Sequence, residues 1–120
     1  MRRAPRLALA FSLALLGTAA CVGTGKNAPV PQPATYVRVE NQAWLDVDVF
    51  AVAGGARRRL GMVTGNSTQT LRIPDGVVGI GRSLQFLVDP VGSSRAGLSF
   101  ELYVSPGQEL RLIVPPTLGR

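Results

Sequence analysis

The chain of 120 residues contains one cysteine and no histidine, which excludes serine triads, zinc sites and cysteine–histidine dyads. Its 14 glycines and 9 prolines are spread along the sequence and exclude long helices, and its length predicts one small domain. Three of the 13 basic residues, Arg2, Arg3 and Arg6, precede Cys21 and all 7 acidic residues follow it, so the net charge falls from +6 to +3 beyond that residue. This charge does not predict binding to nucleic acid, and no cofactor is predicted.

Residues 1–20 have the three parts of a secretory signal peptide. The basic segment with Arg2, Arg3 and Arg6 precedes an apolar run from Leu7 to Leu16, and the small residues Gly17 to Ala20 follow. The apolar run is too short to cross a bilayer, which needs about 20 residues. We therefore predict that residues 1–20 direct export and take no part in the fold.

Cys21 directly follows this segment and resembles the acylated cysteine of bacterial lipoproteins. Ala20 and Cys21 match the pattern of that family, and Thr18 stands where the family prefers leucine. The resemblance implies that Cys21 carries lipid and anchors the chain in a membrane. Because Val22 stands where an aspartate marks inner-membrane retention, it also implies the outer membrane of a Gram-negative host. The alternative is cleavage by ordinary signal peptidase, which would release a soluble protein with a free thiol.

The next segment, residues 21–34, is a predicted tether. It has no apolar periodicity, and Pro29, Pro31 and Pro33 alternate with other residues. Alternating prolines favour an extended polyproline II conformation. We expect this tether to hold the domain of residues 35–120 away from the bilayer.

From Thr35 onward, apolar residues recur at every second position, which predicts strands with one buried face. Glycine, asparagine and proline pairs such as Gly54–Gly55 and Gly65–Asn66 separate the strands, and residues 76–82 are predicted to be a loop that connects sheets. The stripes predicted to face inward are Val37 and Val39; Leu45, Val47, Val49 and Ala51; Leu71 and Ile73; Leu84, Phe86 and Val88; Leu98, Phe100, Leu102 and Val104; and Leu110, Leu112 and Val114.

Short strands of this number predict an all-β domain, a β-sandwich of about seven antiparallel strands with immunoglobulin-like or transthyretin-like form. Three segments, Val39–Gln42, Arg59–Val63 and Ser105–Gln108, resemble small bacterial lipoproteins of this architecture. The resemblance implies the sandwich fold and a location in the cell envelope. It implies no activity.

Two groups of charged residues have alternative interpretations. Arg57 to Arg59 are predicted to be a solvated flank that protects an edge strand, with contact to anionic lipid as the alternative. Asp46 and Asp48 are predicted to lie on the outward face of a strand. The alternative is that the pair serves acid–base hydrolysis or a calcium site, where Glu101 or Glu109 could approach from a neighbouring strand.

Trp44 precedes the strand that carries Asp46 and Asp48. We predict that it caps the core, as a lone tryptophan at the start of a strand commonly does. The alternative is that Trp44 stacks on a sugar ring, together with Tyr103 and the two aspartates, in a carbohydrate-binding module.

Five apolar residues occupy positions predicted to face outward: Phe50, Val52, Leu87, Tyr103 and Ile113. We predict that at least three of them, foremost Phe50, Tyr103 and Ile113, meet on one sheet and bind an envelope partner or a second copy. The alternative is that the chain's own loops cover them.

Together these features predict a lipid-anchored, non-enzymatic structural or interaction module of the bacterial envelope. A carbohydrate-binding module is the first alternative, and a carboxylate-dependent hydrolase is the weaker one.

Overall fold

The computed structural model of the protein describes residues 30–119. The predicted signal peptide, Cys21 and the tether up to residue 29 lie outside the described residues. Within them the chain forms seven strands and one single-turn helix. The elements are β1 (Thr35–Asn41), β2 (Val47–Ala53), β3 (Ala56–Val63), β4 (Ser67–Ile73), α1 (Asp75–Val78), β5 (Arg82–Pro90), β6 (Leu98–Val104) and β7 (Glu109–Val114).

The strands form two sheets, and the predicted all-β sandwich of seven strands is confirmed. The three-stranded sheet has the order β4-β1-β7, and the four-stranded sheet has the order β3-β2-β5-β6. All pairings are antiparallel except that of β1 with β7, which is parallel. The long stretch of chain between β1 and β7 permits this parallel pairing, which a short hairpin could not make.

The strand order can be compared with that of the predicted immunoglobulin-like form. In an immunoglobulin constant domain the first and second strands share a sheet. Here β1 and β2 lie in different sheets. The order is therefore not that of an immunoglobulin constant domain.

The core lies between the two sheets and follows the predicted stripes except at Leu45, which lies in the loop before β2 and is only half-buried. In β1, β2 and β5 the inward residues are completely buried. Each of these strands has a hydrogen-bonded strand on both sides, and the opposite sheet covers its inner face. These residues are Val37, Val39, Val47, Val49, Ala51, Leu84, Phe86 and Val88.

Strand β6 shows the same alternation with less burial. Leu98, Phe100 and Leu102 face inward and pack against the core, but each is only partly buried, whereas Val104 is fully buried. Phe100 lies directly opposite Phe86 of β5. The difference arises because β6 is the edge strand of the wider sheet.

The predicted loop of residues 76–82 begins with helix α1, so that prediction is wrong in its first part. Pro74 precedes the helix with an extended backbone, and Asp75 lies in its first turn, where a negative charge is favourable. Val77 and Val78 are buried in the core. The apolar Val–Val pair closes one end of the sandwich in a way that an exposed loop would not.

The sandwich has two ends that differ in what they carry. The tether joins β1 at Thr35, and there the Gln32 side chain donates a hydrogen bond to the Gly79 carbonyl over 3.2 Å. At the other end, the loop of residues 42–46 connects β1 to β2. We call these the tether end and the loop end of the sandwich. The seven residues of β1 run from one to the other, a distance of roughly 20 Å.

Candidate binding site

Trp44 lies in the loop of residues 42–46 and is the most exposed aromatic side chain among the described residues. Its side chain is 73% exposed, while that of the neighbouring Ala43 is completely buried. The prediction that Trp44 caps the core is therefore wrong. The small Ala43 attaches the loop to the core in its place, which leaves the indole in solvent.

Asn41 fixes the start of this loop from inside the domain. Its side chain is 2% exposed, and its amide group donates to the carbonyls of Leu45, Val63 and Thr64 over 2.8, 3.3 and 3.2 Å. Its carbonyl oxygen accepts a hydrogen bond of 3.0 Å from the Ala43 backbone N–H. A buried carboxamide with such partners holds the loop to the end of β3.

Further hydrogen bonds fix the rest of the loop. The Asp46 carboxylate accepts from the Gly65 backbone N–H over 2.9 Å, and the Asn66 N–H donates to the Ala43 carbonyl over 2.8 Å. A β-carbon at Gly65 would overlap the backbone carbonyl of Trp44. The loop that carries Trp44 is thus irregular in shape but held on several sides.

A polar depression lies beside this loop, at the junction of β1 and β4. Its volume is about 330 Å³, and its lining residues are Glu40, Asn41, Gln42, Asn66, Ser67 and Thr68. Within residues 30–119 the side chains of Gln42, Asn66 and Thr68 make no hydrogen bond to the protein. They are therefore available to a ligand.

Glu40 is the one ionisable residue that lines the depression. Both of its carboxylate oxygens accept hydrogen bonds of 2.8 Å from the Arg111 guanidinium. These bonds, together with the positive charges of Arg111 and Arg38, lower the pKa of Glu40. Glu40 is consequently ionised at neutral pH and neutralised by its partner.

The two aspartates do not form a carboxylate site. Asp46 stands before β2 and caps Gly65, while Asp48 accepts a hydrogen bond of 2.6 Å from Arg59. Glu101 lies opposite Gln85 on β6, and Glu109 lies on the other sheet. No group of three potential metal ligands occurs within residues 30–119.

The arginines at positions 57 and 59 cross the outer face of the four-stranded sheet. Arg57 pairs with Asp89 on β5, and its guanidinium lies 3.8 Å above the centre of the Phe50 ring. Strand β3 is the edge strand of its sheet, which agrees with the predicted role of these arginines as an edge flank. Contact with anionic lipid stays a prediction.

The outward apolar residues divide between the two sheets. Phe50 and Leu87 are directly opposite each other, with Val52 further along β2, on the outer face of the four-stranded sheet. Tyr103 shares that face near the tether end. Ile113 lies opposite Glu40 on the three-stranded sheet. The predicted trio of Phe50, Tyr103 and Ile113 therefore does not meet, because β7 pairs with β1 in the three-stranded sheet, although the other four of the five residues share one sheet face.

The sequence indicated that Asn41 would be buried, although Asn41 was not among the predicted core residues. Asn41 continues the inward positions of Val37 and Val39, where a polar residue must find internal partners. The depression itself had no such signal, because β4 contributes residues distant in sequence from β1.

No protein-family model, curated protein or solved structure matches the chain. Within residues 30–119, no helix is long and apolar enough to cross a membrane.

Proposed function

We propose that the chain is a lipid-anchored, non-enzymatic interaction module of the bacterial envelope, and that it binds its partner through the Trp44 end. The observation that carries this proposal is the exposure of Trp44 on a loop that internal hydrogen bonds hold in place. An exposed indole on a fixed loop offers a large contact area and loses little conformational freedom on binding.

The position of the tether supports the same assignment. The export signal and Cys21 predict an anchor at the N-terminal end of the tether, and the tether meets the sandwich at the end opposite Trp44. An anchored domain would therefore present Trp44 away from the bilayer. That orientation suits contact with a partner in the envelope.

Two other assignments have less support. The outer face of the four-stranded sheet carries Phe50, but Arg57 already covers the ring. A hydrolase would need free carboxylates, whereas Asp46 and Asp48 are each bound to another residue of the domain. We therefore place the interaction at the Trp44 end.

The anchor is tested by cell fractionation and intact-mass measurement. The mature chain is expected to begin at Cys21 with covalent lipid and to sediment with membranes, and Cys21→Ser is expected to release it. An unmodified mass would contradict the anchor, as would a Cys21→Ser variant that still sediments with membranes.

The binding end is tested by crosslinking in intact cells followed by capture of the chain. Trp44→Ala is expected to remove a crosslinked partner that the wild type retains. Tyr103→Ala is the matched control, because Tyr103 is also an exposed aromatic residue, at 62%, but lies near the tether end. Loss of the partner in the control alone would contradict the assignment.

A further inference from the structure

We infer that the polar depression and Trp44 together bind a neutral oligosaccharide. This inference rests on the proposed function and names the ligand class of the same end of the domain. It depends on three properties of the site: unpartnered polar side chains, the absence of an unpaired charge in the lining, and an exposed indole two residues along the chain from the lining residue Gln42.

The lining offers hydrogen-bonding groups of both kinds. The carboxamides of Gln42 and Asn66 each provide a donor and an acceptor, and the Thr68 hydroxyl provides both. The Ser67 hydroxyl donates to the Thr64 carbonyl over 2.7 Å, which leaves its oxygen free to accept. Sugar hydroxyls also donate and accept, so this set of side chains complements them.

The charge of the lining favours a neutral ligand over an ionic one. Glu40 is paired with Arg111 through two hydrogen bonds and with Arg38 at 3.9 Å, and the other lining side chains are uncharged. An anion would meet the Glu40 carboxylate, and a cation would compete with Arg111. A neutral polar ligand incurs neither cost.

Trp44 supplies the apolar surface that sugar rings need in addition to hydrogen bonds. Trp44 stands two residues beyond Gln42 in the chain. The Asn66 backbone N–H donates a hydrogen bond to the carbonyl of Ala43, which lies between them. The C–H faces of a sugar ring are apolar and stack on an indole, whose own edge tolerates water. A volume of about 330 Å³ lies at the lower end of small-molecule pockets and suits a short part of a longer chain.

The residues involved differ from those of the carbohydrate-binding alternative predicted from sequence. Tyr103 lies on the other sheet near the tether end, and Asp46 and Asp48 are bound to Gly65 and Arg59. The inferred site instead takes Trp44 together with the polar side chains at the β1–β4 junction, namely Gln42, Asn66, Ser67 and Thr68.

The test uses the fluorescence of Trp44, the single tryptophan of the chain. The full chain, purified in detergent from cells, is titrated with the neutral trisaccharides maltotriose, cellotriose and tri-N-acetylchitotriose, and with inorganic phosphate. A glycan array extends the neutral set. We expect a saturable blue shift of the emission with at least one neutral glycan and none with phosphate.

Variants separate the two parts of the site. Measured by calorimetry with the responding glycan, Trp44→Ala is expected to weaken binding roughly tenfold or more, the scale of losing a central aromatic contact. Trp44→Phe should restore part of the affinity. Gln42→Ala combined with Thr68→Ala should weaken binding while the fold is retained, and Tyr103→Ala should leave binding unchanged.

The inference is overturned if no neutral glycan binds, if phosphate alone shifts the emission, or if the Gln42 and Thr68 variant binds as the wild type does. These results differ from failure of the proposed function. Capture of a protein partner that depends on Trp44, without glycan binding, would leave the interaction module intact and remove only its saccharide ligand. Glycan binding by an unlipidated chain would remove only the anchor.

Discussion

Trp44 and Phe50 are six positions apart, and both lie outside the core, yet their surroundings differ. Phe50 is in strand β2, where Arg57 covers its ring and reaches Asp89 on the far side. Trp44 is in an irregular loop, where its neighbours are fixed and its indole is 73% exposed. The comparison shows that an aromatic residue at an outward position identifies a binding surface only when no side chain of the same domain covers it.

The two regions also differ in how they are held. The Phe50 face depends on side chains that are largely in solvent, and such ion pairs contribute little to stability. The Trp44 loop depends on a buried carboxamide and on backbone hydrogen bonds, which contribute more when they are shielded from water.

Asn41→Ala should destabilise the protein by about 3 kcal/mol, because the substitution leaves buried carbonyl and N–H groups of the loop without partners. Chemical denaturation measures the loss. Gln42→Ala is the control, since Gln42 is adjacent but exposed, and should change little. Equal effects of the two substitutions would contradict the assignment of Asn41 as the internal support of the loop.

Gly65→Ala should cost about 2 kcal/mol, because the added β-carbon meets the backbone carbonyl of Trp44 and the two segments must separate. Gly76→Ala is the matched control. A β-carbon at Gly76 has nothing within 4 Å, and alanine favours the helix there. Thermal melts measure both variants. A lower melting temperature for Gly76→Ala than for Gly65→Ala would show that the Trp44 loop can move to accommodate the added β-carbon.

Arg57→Ala should cost about 1 kcal/mol, the sum expected for an exposed cation–π contact and a surface ion pair. The same change should uncover Phe50 and increase binding of a hydrophobic dye. Arg58→Ala should do neither, because Arg58 forms no ion pair within residues 30–119. Unchanged dye binding after Arg57→Ala would mean that other side chains also shield the Phe50 ring from solvent.

The Glu40–Arg111 pair should make stability depend on pH in the acidic range. Its hydrogen bonds lower the pKa of Glu40 in the folded protein below the ordinary value of 4.5. The contribution of the pair is therefore complete above that value and is lost as the pH falls through the lowered pKa. Melting temperatures of the wild type and Glu40→Gln should differ at neutral pH and converge as the pH falls below the lowered pKa of Glu40. A constant difference would contradict the role of Glu40.

The alternation of apolar and polar residues was enough to predict the strands and most of their inward faces. A strand places alternate side chains on opposite faces, so Val47, Val49 and Ala51 had to face inward together once one of them did. There were two exceptions. Leu45 lies in the loop before β2 and is half-buried, and α1 follows Pro74 and contains two buried valines. Alternation could not show that those valines would close the core as a helical turn.

Tertiary structure alone decided which strands became neighbours, because alternation contains no information about pairing partners. It separated Ile113 from Phe50 by pairing β7 with β1, and it left Phe100 partly exposed by placing β6 at an edge. The pairing of β1 with β4 also placed Gln42 and Thr68 in one depression. Trp44 stayed outside the core because the buried residues Ala43 and Asn41 attach its loop to the domain.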